Sequence, residues 1–188
     1  MPSKKKTDAM DAVALLKADH RKVEDLFKKF SKAKDSQTKQ ALAKQICTEL
    51  TIHTVIEEEI FYPACKGEVE DDLRLESYVE HDGAKVLVAE IAQGSPDDEF
   101  YDAKVTALCE QIHHHVKEEE KPAEGLFAQA RKAGLDMDEL GERLRTRKEE
   151  LMAQIEKNGL PPPETRSFTG HKMRQGAPVE AEQAKEAA

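Results

Sequence analysis

The chain has 188 residues and a formal net charge of −9, with 36% charged residues, 5% aromatic residues and no tryptophan. This composition is typical of amphipathic helices and argues against a β-sandwich, and the acidic charge gives no support for nucleic-acid or membrane partners. Three cysteines without CxxC spacing, and no apolar run of signal-peptide or membrane-span length, predict a cytoplasmic protein.

Apolar residues recur at a spacing of three and four along most of the chain, which predicts helices. The first helix is expected from about residue 8 to 34, the second from about 36 to 66 and the third from about 71 to 93. Their inward positions include Val13, Leu16, Val23, Phe27 and Phe30, then Leu42, Ile46, Leu50, Ile60 and Phe61, then Tyr78, Val88 and Ile91.

The fourth helix is predicted to begin at Ser95 as cap and Pro96 as first helical residue, and to break at Pro122 and Gly125. A fifth helix is expected over residues 136–157, and the Pro-rich remainder, 158–188, is expected to be disordered. Four long helices with short connections predict an all-α, up-down-up-down four-helix bundle over residues 8–132. The fifth helix either packs on the outside of this bundle or contacts a partner.

Each bundle helix carries one histidine in phase with its apolar face: His20, His53, His81 and His115. A single inward histidine is usually an inert, hydrogen-bonded core residue. Glu57 and Glu119 follow His53 and His115 by four residues, so both carboxylates point inward as well. Buried carboxylates are costly without a counter-charge, and Lys85 is the one basic residue near matching phase on these helices. A bound cation is therefore expected.

The pattern occurs twice. His20 precedes His53 by 33 residues, and His81 precedes His115 by 34. Two helical hairpins, each supplying a histidine and a His-x-x-x-Glu pair, would bring six ligands together about a pseudo-twofold axis. Mixed imidazole and carboxylate ligation suits iron, although zinc or manganese would also accept it. Two glutamate bridges would hold two ions close together, with open positions for O₂, NO or peroxide.

These residues resemble the hemerythrin-like, or HHE cation-binding, family over about residues 12 to 131. The resemblance implies two iron ions, oxo- or hydroxo-bridged, held by His20, His53, Glu57, His81, His115 and Glu119. Two departures distinguish the chain from the oxygen-carrying members. Lys85 stands where they have a second third-helix histidine, and Glu119 stands at the fourth residue rather than an Asp at the fifth. The missing imidazole would leave a metal more exposed, which argues against simple reversible O₂ carriage.

Several neighbouring residues have weaker claims to the site. Glu24 lies one turn after His20, but Val23 competes for the inward position. Glu58 is expected to be solvated or to support a ligand. Tyr62 and Tyr78 could each hydrogen-bond a ligand, although packing is the simpler role for both.

Three functions remain open from the sequence. The favoured one is a di-iron protein that binds or senses O₂, NO or iron. A di-iron enzyme acting on peroxide or ferrous iron is the second, and a metal-free helical interaction module is the third. The sequence does not indicate an oligomeric state.

Overall fold

The computed structural model describes residues 10–167, and helices make up most of this range, with no strand among the described residues. In chain order the elements are α1 (Ala12–Lys32), α2 (Ser36–Ile56), a π-helical segment (Glu57–Phe61), α3 (Tyr62–Cys65), α4 (Asp71–Gln93), α5 (Tyr101–Glu120), α6 (Leu126–Lys132) and α7 (Met137–Asn158). None of these helices is both long enough and apolar enough to cross a membrane.

The four long elements form a closed bundle. Helix α1 packs against α2, α2 against α4, α4 against α5, and α5 against α1. Asp11 and Asp35 begin the first two helices, because their carboxylates accept hydrogen bonds from the amides of Ala14 and Thr38 at 2.9 and 2.8 Å. The predicted all-α, up-down-up-down bundle is thus confirmed.

The second bundle helix is interrupted where the sequence predicts continuous α-helix to about residue 66. The amide of Tyr62 donates to the carbonyl of Glu57, five residues back, so residues 57–61 form a π turn. Pro63 explains the change, because it has no amide to donate and its ring would collide with the carbonyl four residues earlier. The wider turn brings Glu57 and Glu58, adjacent in sequence, both into the interior.

The fourth bundle helix begins later than predicted. Helix α5 starts at Tyr101 rather than at Pro96, because the Asp98 carboxylate accepts from the amide of Ser95 at 2.7 Å and closes a separate turn. The expected break at Pro122 and Gly125 is confirmed. A Cβ atom at Gly125 would lie 2.5 Å from the carbonyl oxygen of Glu119, so only glycine permits this tight return to α6.

Helix α7 packs on the outside of the bundle against α1, α2 and the π segment, which decides between the two placements left open by the sequence. The contact is close at Gly141, where a Cβ atom would lie 2.8 Å from backbone atoms of Met10 and Ala12. Two ion pairs hold the same interface, from Arg147 to Glu59 and from Lys148 to Asp19.

Residues 159–167, the first part of the remainder expected to be disordered, contain no helix or strand, and we call them the C-terminal segment. This segment follows α7 and returns along α4. Its amides at Arg166 and Ser167 both donate to the Asp82 carboxylate, at 2.7 and 2.6 Å. Composition alone missed these contacts because a buried carboxylate on α4 binds the backbone, not an apolar face. Residues 168–188 of the expected tail lie outside the described residues.

The interior consists of two apolar clusters with a polar layer between them. One cluster surrounds Leu16, Phe61 and Phe127, and the other surrounds Phe27, Leu50 and Leu108. His20, His53 and His81 lie on their helices between residues of the two clusters, and His115 lies near the end of the second cluster on α5. The polar layer therefore crosses the middle of the bundle.

Candidate metal centre

The six residues singled out by periodicity converge in this layer. We call them the buried cluster: His20, His53, Glu57, His81, His115 and Glu119. Each is at most 4% exposed. They come from α1, α2, the π segment, α4 and α5, so the bundle itself brings them together.

The histidines meet in two pairs through their Nε2 atoms. The Nε2 atoms of His20 and His53 are 3.0 Å apart, and those of His81 and His115 are 3.2 Å apart. Two nitrogen ligands of one transition-metal ion, each bonded at about 2.1 Å, are separated by about 3.0–3.4 Å. The two pairs therefore have the spacing that two adjacent ions would require.

Both glutamates lie between the histidine pairs. Oε2 of Glu57 is 3.1 Å from Nε2 of His53 and 3.4 Å from Nε2 of His81. Oε2 of Glu119 is 3.5 Å from Nε2 of both His20 and His115. Each carboxylate thus contacts one histidine from each pair, and Glu57 takes part in both groups of potential metal ligands.

A carboxylate stands behind every histidine ring, and we call these four the outer carboxylates: Asp19, Glu58, Glu80 and Glu120. Glu120, Glu58 and Glu80 accept from Nδ1 of His20, His81 and His115 at 2.8, 3.1 and 2.8 Å. Asp19 lies 3.8 Å from Nδ1 of His53. With the proton on Nδ1, the Nε2 lone pair faces the interior, which is the tautomer that a metal needs.

The sequence did not reveal most of the outer carboxylates, because they lie on different helices from the histidines that they support. Such pairs have no fixed spacing along the chain. Glu120 and His20, for example, are 100 residues apart. Cations stabilise three of them in turn: Arg21 pairs with Glu120, Lys85 with Glu58, and Lys148 of the outer helix with Asp19. The periodic pattern predicted the inward direction of the rings but not what holds them.

The two buried carboxylates differ in their protonation. Burial and the charge of Glu57 raise the pKa of Glu119 to about 8. Burial acts in the same direction on Glu57, but the charge of His53 and hydrogen bonds from His53 and His81 outweigh it and hold the pKa of Glu57 well below its usual value. At neutral pH one carboxylate is therefore ionised and the other protonated, as expected for two acids that share one site.

The paired histidines His20 and His53 also differ. Burial lowers the pKa of His20 to about 4, although its hydrogen bond to Glu120 acts in the opposite direction. Burial acts on His53 too, but the carboxylates of Glu57 and Asp19 outweigh it and raise its pKa to about 10. Protons thus supply the positive charge that the carboxylates need.

The pattern of unpaired atoms tests whether a cation fits. Oε1 of Glu57 and Oε2 of Glu119 are buried and have no hydrogen-bond partner among the described residues. Buried acceptors without a partner are costly and unusual in proteins. Both atoms lie within the cluster whose imidazole nitrogens also face inward. The donor set, four nitrogens and two carboxylates, suits a transition-metal pair, so the residues fit the expected metal.

The structure also places the weaker candidates. Glu24 pairs with Arg21 at 3.5 Å and lies outside the potential ligand groups. Lys85 does not enter the cluster but pairs with Glu58 at 2.7 Å. Glu58 is itself buried rather than solvated, and supports His81. Tyr62 does reach the cluster, where its hydroxyl donates to Oε1 of Glu119 at 2.9 Å.

Three comparisons show which known proteins this chain resembles. The family model described as "Hemerythrin HHE cation binding domain" matches residues 11–130. A DNA nickase from Nostoc sp. is 31% identical over 122 residues, which are 65% of this chain and 34% of the relative. The chain thus spans about a third of that protein's length.

The third comparison concerns the fold. The crystal structure of a hemerythrin HHE cation binding domain-containing protein from Mycobacterium kansasii superposes with a TM-score of 0.65. The match covers 80% of this chain and 95% of that chain, at 21% sequence identity.

Proposed function

The chain belongs to the hemerythrin HHE cation-binding domain family, and we propose that its buried cluster binds two iron ions through which the protein binds or senses O₂, NO or iron. One observation carries this proposal: four imidazole Nε2 atoms and two buried carboxylates meet at separations of 3.0–3.5 Å, with two carboxylate oxygens left unpaired. A bound cation would satisfy all of these groups at once, including the two carboxylate oxygens that have no hydrogen-bond partner among the described residues.

The division of ligands follows from the distances. His20 and His53 would hold one ion, and His81 and His115 the other. Glu57 and Glu119 would each bridge both, because each contacts one histidine of either pair. The outer carboxylates would keep the Nε2 lone pairs directed at the ions.

Bound iron would supply at this cluster an affinity for small molecules such as O₂, NO or peroxide. The protein's own contribution is to exclude bulk water, since the cluster is buried. Tyr62 adds one hydroxyl beside both glutamates, 2.9 Å from Glu119 and 3.1 Å from Glu57. Zinc or manganese would be accepted by the same donor types.

We do not extend the activity in the name of the Nostoc relative to this chain. The alignment covers about a third of that protein. The net charge of −9 also disfavours nucleic acid as a partner, since DNA binding depends on neutralising phosphates. We propose instead that the matching region is a metal-binding domain common to both proteins.

Metal analysis of protein expressed in iron-rich medium, followed by anaerobic titration with Fe(II), tests the proposal. The expected result is two iron ions per chain for the wild type and reduced iron content for Glu119→Ala and His81→Ala. His113→Ala is the matched control, because His113 is an exposed histidine on the same helix as His115. Wild-type protein that folds but takes up no iron would refute the proposal and favour the metal-free interaction module.

Exposure of the iron-loaded protein to O₂, NO and peroxide separates binding from catalysis. Stoichiometric spectral changes without turnover would support binding or sensing. Sustained consumption of peroxide or ferrous iron, lost in His115→Ala, would support the enzymatic alternative. A thermal unfolding curve that is identical with and without chelator would count against a buried metal.

A further inference from the structure

A cavity of about 950 Å³ lies beside the buried cluster, between α2, α4, α7 and the C-terminal segment. Folded interiors are close-packed and rarely contain voids larger than a water molecule. Pockets that hold small organic ligands have volumes of roughly 300–1,000 Å³. This cavity is therefore at the upper end of the range for ligand sites and far above that of packing defects.

The cavity is elongated and follows α2. It is lined along that helix from Gln40 and Lys44 at one end to Glu58 at the other. At 1.5 Å per residue, the 14 residues from Lys44 to Glu58 span about 20 Å. A long, narrow molecule fits this shape better than a compact one.

The middle of the cavity is apolar, and its outer wall is part of the same chain. Leu50, Val88, Ala89, Leu151 and Leu160 line the central section. The C-terminal segment crosses over it with Pro161, Pro162 and Pro163. The Asp82 carboxylate then holds the segment by accepting from both the amide and the hydroxyl of Ser167, at 2.6 and 2.7 Å. The C-terminal segment thus covers one side of the apolar space, which stays partly open to solvent.

The two ends differ in charge. At the inner end, Lys85 pairs with Glu58 and Asp82, and Arg166 pairs with Glu58, so both basic groups there already have carboxylate partners. At the outer end, Lys44 is exposed and makes no ion pair with any residue in the range 10–167. An anionic group would therefore find a free partner only at the outer end.

We propose that this cavity binds an elongated apolar molecule with an anionic head, of the fatty-acid class, with the head at Lys44 and the tail against Leu50, Val88 and Leu151. Burial of an apolar chain supplies the main driving force, about 0.8 kcal/mol per methylene. The head group adds the ion pair with Lys44. The proposal does not depend on a bound metal, because none of these four residues belongs to the buried cluster.

Calorimetric titration of the full chain with dodecanoate, and separately with dodecan-1-ol, tests the proposal. The wild type is expected to bind one molecule of either compound, and dodecanoate more tightly. Lys44→Glu is expected to weaken dodecanoate binding by about two- to fivefold, the effect of losing one exposed ion pair, while the affinity for dodecan-1-ol stays the same. Lys28→Glu is the control, since Lys28 is an exposed lysine on α1 away from the cavity.

A second pair of variants tests the location. Ala89→Trp and, separately, Ala92→Phe place a large side chain in the cavity and are expected to weaken both compounds at least tenfold while circular dichroism stays unchanged. Absence of saturable binding by the wild type overturns the proposal. So does a folded filling variant with unchanged affinity, or a Lys44→Glu variant that leaves dodecanoate binding unchanged or weakens both compounds equally. The comparison of Lys44→Glu with wild type still tests the proposal if a cavity-filling variant does not fold.

Discussion

Tyr62 donates its hydroxyl proton to Oε1 of Glu119 across 2.9 Å at the centre of the bundle. Burial, together with the charges of Glu119 and Glu57, raises the pKa of Tyr62 well above its usual value. The phenol therefore stays protonated and keeps its single donor. Through this contact the short α3 helix, which follows the π segment, is joined to α5.

Tyr62→Phe should destabilise the metal-free protein. The substitution leaves a buried carboxyl oxygen without its donor, and we expect the free energy of unfolding in chelator to fall by about 1–3 kcal/mol. Tyr101→Phe is the matched control, since the buried hydroxyl of Tyr101 has no hydrogen-bond partner among the described residues and should cost little to remove. Urea denaturation measures both, and equal losses would contradict the assigned role of Tyr62.

Glu80→Ala should weaken iron binding about 10–100-fold, because Glu80 accepts from Nδ1 of His115 at 2.8 Å and fixes the ring's tautomer and orientation. Glu24→Ala is the comparison, since both side chains are 20% exposed but Glu24 pairs with Arg21 instead of a cluster histidine. Competition with a chromogenic chelator gives the affinities. Similar affinities for the two variants would argue against support by the outer carboxylates.

Gly141→Ala should loosen helix α7. The added methyl group would lie 2.8 Å from backbone atoms at the start of α1, and overpacking of this kind costs about 1–3 kcal/mol. Gly83→Ala, also within a helix, places its methyl 3.6 Å from the side chain of Gln111 and should stabilise the protein by about 0.5–1 kcal/mol through helix propensity. Thermal denaturation distinguishes them, and changes of the same sign would contradict this packing.

Asp11→Ala should show a pH-dependent loss of stability. Burial acts to raise the pKa of Asp11, but hydrogen bonds from Arg131 and from the amide of Ala14 outweigh it and lower the pKa below 3.8. A lowered folded-state pKa stabilises the protein above the unfolded-state value, and this contribution disappears as the pH falls through the folded-state value.

At pH 7 we therefore expect Asp11→Ala to cost about 1 kcal/mol, and the difference from wild type to shrink below about pH 4. Asp25→Asn serves as the control, because Asp25 is exposed, pairs only with Lys29 and should change stability little. Urea denaturation at several pH values provides the comparison. If the loss of stability in Asp11→Ala were the same at acidic pH as at pH 7, the charge of Asp11 would not contribute to the free energy of unfolding.

The sequence predicted that the side chains of the buried cluster point inward, because the face of a helix on which a residue lies depends only on its spacing from neighbouring residues. His53 and Glu57 are four residues apart on one helix, so their common face could be read directly. The same reasoning predicted the bundle and the break at Gly125. The outer carboxylates could not be predicted in this way, since pairs such as Glu120 with His20 depend on how two distant helices pack.

The remaining differences have specific physical causes. The second bundle helix is interrupted because Pro63 has no amide to donate, and the resulting π turn brings Glu58 inward beside Glu57. Helix α5 begins later than predicted because Asp98 closes a turn on Ser95. In each case one residue is compatible with two local backbone structures, and tertiary packing determines which of them forms.

The division of the interior into two apolar clusters has a consequence for how the protein opens. The polar layer between them gains little from apolar burial, so when it holds only protons it should be the weakest cross-section of the bundle. Amide exchange near His20 of α1 and His115 of α5 should then be faster than towards the centres of the two clusters. Cations bound to ligands from all four helices would reverse this order, and the polar layer would then be the last region to open.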